Sequence, residues 1–153
     1  MVSDLNKSQM QALLHNATVG HLGCYADGRV YVTPICFAYH DGRIYAHSGL
    51  GMKTEMMSEN PEVCFEVEEV KDIANWQSVI AWGTYKPLHG EEADHALERL
   101  VDKLASALSQ SENETPHDGP DGASTRHILS RSSRHGVVFC IEITEMTGRS
   151  ERR

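Results

Sequence analysis

The sequence predicts a mostly antiparallel β-barrel with a few attached helices. Six strand-like segments are rich in β-branched and aromatic residues, and turn-forming residues separate them. Helical periodicity appears only at a few junctions, so the chain lacks the regular β-α-β alternation of a parallel sheet. Its 153 residues suffice to bury one core, and we expect a single domain over residues 1–153.

A hairpin within residues 29–53 is the clearest predicted element. Its first strand alternates side chains on two faces that are both apolar or aromatic, so we expect both faces to be covered. His40-Asp41-Gly42 supplies the turn, because Asp-Gly tolerates positive φ angles, and residues 43–48 form the second strand. The loop Gly49-Leu50-Gly51-Met52-Lys53 follows, and then a short helix to Ser58.

The other elements follow from the same patterns. A helix is predicted at 4–17, with Ser8 and Gln11 as a capping box, and another at 90–109. The remaining predicted strands are 18–25, 63–67, 76–88 with a bulge at Gly83, and 137–144. Residues 109–135 are polar and rich in turn formers, which predicts a surface loop inserted before the last strand.

Composition narrows the class of partner. The formal charge of −8 argues against a nucleic-acid backbone as the partner. No apolar run approaches the length of a membrane span, and the first residues lack the form of a signal peptide. We therefore expect a cytoplasmic protein that binds neither nucleic acid nor membrane.

Metal and disulfide sites are not predicted. The four cysteines stand alone in separate segments, without a CxxC or CxxH pair, and are interpreted as small buried apolar residues. The nine histidines never fall at an i, i+4 ligand spacing on a predicted helix. We expect no metal site.

The loop after the hairpin could hold a phosphate group. Its two glycines let the backbone approach a ligand, and the N–H groups at a helix start attract anions. Lys53 adds a positive charge and Ser48 a hydroxyl donor. The loop matches neither Gly-x-x-x-x-Gly-Lys-Ser/Thr nor Gly-x-Gly-x-x-Gly, and taken alone it is better explained as a plain strand-turn-helix junction.

Four segments, taken together and in order, carry a family resemblance. They are VTPICFAYHDGRIYAHSGLGMK, NPEVCFEVEE, WQSVIAWGTYKPL and FCIEITEMTGR. This series resembles the pyridoxamine 5′-phosphate oxidase-like split-barrel flavoproteins, and in particular their nitroimidazole-resistance branch. The resemblance covers about residues 19–88 and the last strand.

The resemblance implies a homodimer of six-stranded antiparallel split β-barrels with two FMN molecules at the subunit interface. By position, it assigns the isoalloxazine ring to Val32, Thr33, Pro34 and Ile35, the phosphate to His47, Ser48 and Lys53, and contact with the partner's flavin to Trp76 and Ser78. Each of these residues also has an ordinary structural explanation, as a strand residue, a core aromatic or a satisfied histidine.

The sequence also departs from the family pattern. True pyridoxamine phosphate oxidases carry an Arg-Lys pair in the loop, where this chain has Met52-Lys53-Thr54, and a C-terminal Trp and Arg, where this chain ends TGRSERR. Vitamin B6 oxidation is therefore not favoured. We expect hydride transfer to or from a small aromatic, nitroaromatic or pyridoxine-like molecule, with catalytic residues unassigned.

Further residues could assist at the site. Tyr39, His47 and His21 are candidates for proton delivery if they line the pocket. Arg126, Arg131 and Arg134, at the far end of the inserted loop, could reach a phosphate or an anionic substrate.

Two other classes of function stay open at this point. The same barrel could hold haem or a deazaflavin instead of FMN, with His47 or His127 as an axial ligand of haem. Alternatively, the chain could be a cofactor-free dimeric interaction module.

Overall fold

The structure, a computed structural model, describes residues 1–111 and 136–153. It contains eight strands and three helices within these ranges. In chain order they are β1 (Val2–Asp4), α1 (Lys7–Asn16), β2 (Val19–Ala26), β3 (Arg29–Cys36), β4 (Ala38–His40), β5 (Arg43–Gly49), α2 (Met52–Glu59), β6 (Glu62–Asp72), β7 (Asn75–Pro87), α3 (Gly90–Ser111) and β8 (Gly136–Glu151).

The eight described strands form one antiparallel sheet that is not closed. The strand order is β3-β2-β6-β7-β8-β5-β4, and β1 pairs with the end of β8. The predicted fold, a mostly antiparallel split barrel with attached helices, is confirmed. Two short strands add to the six that the sequence indicates. β1 has only three residues, too few to show periodicity, and β4 was included in the predicted first strand of the hairpin.

Two tight turns join consecutive strands. Asp27 and Gly28 connect β2 to β3, and Asp41 and Gly42 connect β4 to β5. All four residues have positive φ, between 50° and 76°, as a two-residue hairpin turn of type I′ requires. The Asp-Gly pairs in the sequence therefore mark both turns correctly.

The predicted first strand of the 29–53 hairpin is broken in the structure. It ends at Cys36, and after Phe37 the chain continues as the separate strand β4. β3 pairs with β2, and only Ala38–His40 pairs with β5. The prediction of one continuous hairpin was wrong, because alternation of side chains continues through Phe37 although the hydrogen-bonding partner changes.

Helix α1 begins one turn later than predicted, and its capping box differs. Asn6 accepts a hydrogen bond from the N–H of Gln9 (2.9 Å), and the side chain of Gln9 accepts one from the N–H of Asn6 (2.8 Å). The predicted box at Ser8 and Gln11 was wrong, since both residues lie inside the helix. Leu13 and Leu14 anchor this helix in the core.

Strand β8 continues well beyond residue 144, where the sequence-based strand ended, and reaches Glu151. The pairing of β7 with β8 shifts at Trp82 and Gly83, as the predicted bulge requires. The residue left without a partner in the register is, however, Thr144 of β8 and not Gly83. The hydroxyl of Thr144 donates to the carbonyl of Trp82 (3.1 Å). Gly83 itself allows the close approach of β8.

The core fills the inside of the curved sheet. Its largest fully buried side chains include three phenylalanines, Phe37, Phe65 and Phe139. Helix α3 covers part of the outer face, where Ala96 and Leu97 pack against Leu88, Val138 and Cys140. None of the described helices is long and apolar enough to cross a membrane.

The inserted loop lies mostly outside the described residues. Residues 109–111 belong to the end of α3, so the prediction that they lie in a loop was wrong. The arginines assigned to it, Arg126, Arg131 and Arg134, fall within 112–135, as does His127.

We expect Gly83→Ala to lower the free energy of unfolding by roughly 1–3 kcal/mol, as overpacking does. A Cβ at this position would overlap the carbonyl oxygen of Glu142, which is backbone and cannot rotate away. Gly49→Ala is the control, because a Cβ there meets no atom within 4 Å and the φ angle is ordinary. Urea unfolding of both variants without ligand provides the measurement, and equal stabilities would contradict the expectation.

Candidate functional site

The sheet is open along one seam. β3 pairs only with β2, and β4 pairs only with β5, so these consecutive strands lie at opposite ends of the strand order. Phe37 joins them: its N–H donates to the carbonyl of Thr18 (3.1 Å), and its ring packs edge-on against Phe65, with centroids 4.9 Å apart. One backbone edge of β3 therefore lacks a strand partner among the described residues.

This free edge carries backbone hydrogen-bond donors. Because the N–H of Phe37 points to β2, alternation along an antiparallel strand directs the N–H groups of Val30, Val32 and Cys36 to the opposite, free edge. Pro34 lies in the same alternation, where its missing N–H removes no hydrogen bond of the sheet. The seam thus offers donors that a ligand could reach.

The four predicted ring-binding residues of β3 divide between its two faces. Val32 and Pro34 are exposed on the outer face, whereas Ile35 is buried in the core and Thr33 is half-buried. A ligand on the outer side of β3 could therefore touch the side chains of Val32 and Pro34. The N–H and C=O groups of Thr33 and Ile35 face β2, so these two residues offer no free hydrogen-bonding group to such a ligand.

Thr54 fixes the conformation of the loop between β5 and α2. The hydroxyl of Thr54 accepts from the N–H of Gly51 (3.0 Å) and donates to the carbonyl of Gly51 (2.9 Å), and its side chain is buried. No atom lies within 4 Å of a Cβ placed on Gly49 or Gly51. The loop backbone is therefore accessible to a ligand, and the hydrogen bonds of the buried Thr54 side chain fix its conformation.

Lys53 lies in the first turn of α2 and is half-buried. Burial raises the pKa of the Cys24 thiol on β2, Cys64 adds to this rise, and the positive charge of Lys53 opposes it. Lys53 is thus close enough to β2 for its charge to act on Cys24. Cys24 in turn pairs with Tyr31, so this part of β2 lies directly beside β3. Among the described residues no carboxylate forms an ion pair with Lys53.

The two other predicted phosphate ligands point to different sides of β5. Ser48 is buried on the inner face, and its hydroxyl donates to the carbonyl of Gly49 (2.9 Å). His47 pairs in register with Val138, which packs against α3, so its side chain lies on the α3 side of the sheet. The structure therefore does not bring the side chains of His47 and Ser48 to one point.

Trp76 and Ser78 lie in the outer part of the β6–β7 hairpin. Both are half-buried, and their pairing partners on β6, Val70 and Glu68, lie beyond the segment that pairs with β2. Trp76 lines a groove of about 300 Å³ with Arg152 and polar residues of this hairpin. Since β2 and β6 separate β7 from β3, Trp76 and Ser78 do not reach the seam of their own chain.

The side chains of the three candidates for proton delivery lie in different places. Tyr39 lines a separate groove of about 890 Å³ beside α1, where its ring meets that of His15 with centroids 4.8 Å apart. His21 projects from the outer face of β2, and His47 lies on the α3 side. The structure thus gives these three residues no common pocket.

The outer face of the sheet beside the seam is apolar. Strand register places five exposed side chains on this face, which we call the outer apolar face: Tyr25, Val30, Val32, Ile80 and Trp82. Val30 and Val32 are 71% and 62% exposed. A groove of about 570 Å³ runs among four of these residues, next to Cys64. So much exposed apolar surface on one face is typical of an interaction site.

A polar cluster interrupts this face. Nδ1 of His21 lies 3.5 Å from Oε1 of Glu66, and Glu68 is adjacent on the same strand face. Burial raises the pKa of the Glu66 carboxyl, and the neighbouring Glu68 raises it further, while His21 acts in the opposite direction. Sequence spacing could not reveal this cluster, because its members come from two strands 45 residues apart.

Arg29 was not singled out from the sequence. It opens β3 directly after the Asp27-Gly28 turn and lines a groove of about 350 Å³ with Met52 at the start of α2. It forms no ion pair within the described part of the chain. Arg29 and Lys53 therefore add positive charge near the same end of the seam.

Comparison with known proteins gives consistent matches. The family model described as pyridoxamine 5′-phosphate oxidase matches residues 6–150. An uncharacterised protein of Rhizobium meliloti (strain 1021) is 29% identical over 147 residues, which cover 95% of this chain and 93% of that protein.

Solved structures of two other proteins also match this chain. An FAD-binding protein from Mesorhizobium loti is 31% identical, with a TM-score of 0.70 and 98% of each chain covered. A candidate 5-nitroimidazole antibiotic resistance protein from Bacteroides thetaiotaomicron is 22% identical, covering 98% of this chain and 87% of that one with a TM-score of 0.71. The second likeness supports the fold.

We expect Thr54→Val to destabilise the protein by about 0.5–2 kcal/mol, because it removes the hydroxyl that accepts from the N–H of Gly51, whereas the carbonyl of Gly51 still accepts from the N–H of Glu55. Thr54→Ser keeps the hydroxyl and should lose less than Thr54→Val. Thermal unfolding of the two variants decides, and a serine variant that is no more stable than the valine variant would remove this role from Thr54.

Proposed function

The chain belongs to the pyridoxamine 5′-phosphate oxidase family, and on this premise we propose that it is a flavoprotein that binds FMN along the seam between β3 and β5. The observation that carries the proposal is the free edge of β3, which stands beside a glycine loop and Lys53. A planar ring with a polar rim and a phosphate tail needs such a combination.

The free edge suits the polar rim of the ring. An isoalloxazine carries carbonyl oxygens and ring nitrogens along one side, and these accept hydrogen bonds from backbone N–H groups such as those of Val32 and Cys36. The exposed side chains of Val32 and Pro34 offer an apolar surface for the ring face. The backbone groups of Thr33 and Ile35 pair with β2, so these two residues would support the site only by holding the strand in place.

The loop between β5 and α2 suits the phosphate. Gly49 and Gly51 leave the backbone accessible, and the first turn of α2 directs unpaired N–H groups outward. Lys53 supplies the cation, and Arg29 can add a second. Ser48 would have to turn its hydroxyl away from the carbonyl of Gly49, and His47 would take part only through its backbone.

FMN is proposed over FAD because the loop accounts for one phosphate group. The Mesorhizobium loti relative is described as FAD-binding, so FAD is the second candidate. Haem and deazaflavin are distinguished from both by the absorption spectrum of the purified protein, since a flavin gives paired bands in the blue and near ultraviolet. A protein that is purified without a cofactor and binds none of the added cofactors would instead be a cofactor-free interaction module.

A bound flavin would supply hydride and electron transfer. The chain's own residues then position the ring, hold the phosphate and exclude water. Since the side chains of Tyr39, His21 and His47 share no pocket, we propose an oxidoreductase that does not depend on these residues for proton transfer. Small aromatic or nitroaromatic compounds are the proposed substrate class, supported by the description of the Bacteroides thetaiotaomicron neighbour.

We also propose that the protein is a homodimer whose interface includes the outer apolar face. Burying five exposed apolar side chains provides a driving force of about 25 cal/mol per Å² of apolar surface. The β6–β7 hairpin extends past β2 and carries Val70 and Ile73, which are 62% and 94% exposed. In a dimer this hairpin could bring Trp76 and Ser78 to the partner's seam, as the family resemblance implies.

A reducing, cytoplasmic setting is proposed as well. All four cysteines lie within the described residues, and each has a free thiol. Proteins that keep several unpaired cysteines are typical of reducing compartments.

The proposed function is tested by the melting temperature with added ligands. FMN at about 100 times its dissociation constant should stabilise the fold by about 2.7 kcal/mol, which corresponds to a rise of roughly 5–10 °C. Riboflavin, which lacks the phosphate, should give a smaller rise at equal concentration. If FMN, FAD and riboflavin all leave the melting temperature unchanged, the flavoprotein proposal fails.

Lys53→Ala should weaken FMN binding by about 1.5–3 kcal/mol, because a charge-assisted hydrogen bond to the phosphate is lost. Riboflavin affinity should stay the same in this variant, and Lys7→Ala, an exposed lysine on α1, is the matched control. Fluorescence titration at two salt concentrations gives the affinities. Equal FMN affinity in all three proteins would place Lys53 outside the site.

Val30→Asp should raise the dissociation constant of the dimer at least about tenfold, because each interface would bury an unpaired carboxylate. Leu108→Asp, on the exposed part of α3, is the control and should leave the dimer intact. Sedimentation velocity at several concentrations measures both. A monomeric wild-type protein loaded with FMN would refute the dimer.

A further inference from the structure

The polar cluster on the outer face brings together one imidazole and two carboxylates. His21 lies on β2, directly opposite Glu66 on β6, and Glu68 follows two residues later on the same face. One ligand atom from each of the three residues lies within 4.8 Å of the other two. These distances allow the three atoms to share a single ion.

The charges within the cluster are unbalanced. The cluster places the carboxyl groups of Glu66 and Glu68 side by side, and two neighbouring carboxylates repel each other. Within the described ranges, neither Lys nor Arg forms an ion pair with Glu66 or Glu68, and His21 is the only basic group in contact with Glu66. A cation would remove this repulsion.

One oxygen in the cluster also lacks a donor. Oε1 of Glu66 is shielded from solvent and accepts no hydrogen bond in the described part of the chain, since the approach of His21 at 3.5 Å does not have hydrogen-bond geometry. A buried carboxylate oxygen without a donor is costly. This observation is independent of the clustering itself and indicates that a bound species is needed at Oε1.

We propose that His21, Glu66 and Glu68 bind a divalent transition-metal ion. One imidazole nitrogen and two carboxylate oxygens suit Zn²⁺, Mn²⁺, Fe²⁺ or Co²⁺, whereas Mg²⁺ and Ca²⁺ prefer oxygen ligands alone. Three protein ligands leave the remaining positions to water or to a group from a second chain. The proposal replaces the expectation, based on spacing along the sequence, that the chain has no metal site.

The site adjoins the surface proposed for the flavin ring and lies beside the outer apolar face. His21 pairs with Pro34, and Glu66 pairs with Ile80, so apolar residues flank the cluster on both sides. If the proposed dimer covers this face, the ion would offset the cost of burying two carboxylates there. Metal binding itself does not require the dimer or the flavin, so its failure is distinguishable from theirs.

The test uses the full-length protein after dialysis against EDTA. Titration with Co²⁺, followed by its visible absorption, and with Zn²⁺, followed by calorimetry, reports affinity and stoichiometry. The expected result is one ion per chain at this site, with affinity at least tenfold lower in His21→Ala, Glu66→Gln and Glu68→Gln. Glu62→Gln, an exposed carboxylate on the same strand, is the matched control and should bind as wild type.

Two results would overturn the proposal. One is the lack of saturable binding by the wild-type protein, which would mean that a shared proton between Glu66 and Glu68 is sufficient. The other is binding that survives unchanged in the Glu66→Gln and His21→Ala variants, which would place the ion elsewhere on the chain. Circular dichroism of each variant confirms that the fold is retained, and Glu66→Gln preserves the side-chain shape if His21→Ala unfolds.

Discussion

The arrangement of the whole sheet depends on the change of partner at Phe37. Its N–H bonds to Thr18 while the next residues already pair with β5, so one continuous chain segment belongs to both ends of the strand order. Because the ring of Phe37 is fully buried against Phe65, the chain cannot shift by one residue without exposing it. The seam, the free edge of β3 and the position of the glycine loop all follow from this fixed crossing.

The two faces of the sheet serve different purposes. The inner face is filled by the core, whereas the outer face is divided between α3 and the outer apolar face. The proposed flavin site lies at the boundary between these regions, where backbone groups and not side chains are free. This division explains why a chemical role is hard to assign to particular side chains here: the free edge of β3 offers backbone groups, which all residue types except proline have in common.

Local features could be predicted from the sequence, and pairings could not. The Asp27-Gly28 and Asp41-Gly42 turns, the glycine loop and the helical period of α3 are encoded within a few residues, and the structure contains them. The separate strand β4 and the extension of β8 depend on which strand lies alongside. The same limit hid the His21–Glu66–Glu68 cluster. The opposite orientations of His47 and Ser48, in contrast, follow from alternation along β5 and could have been predicted.

The pairing of β8 determines the order in which the sheet can assemble. Without β8, the strand order separates into one piece made of β3, β2, β6 and β7 and another made of β4 and β5, and β1 has no partner. A chain emerging from the ribosome would therefore hold two unjoined sheet fragments until residues 136–151 have been made. Contacts of such long sequence separation slow folding. The half-formed sheet would meanwhile expose strand edges that chaperones or other nascent chains could bind.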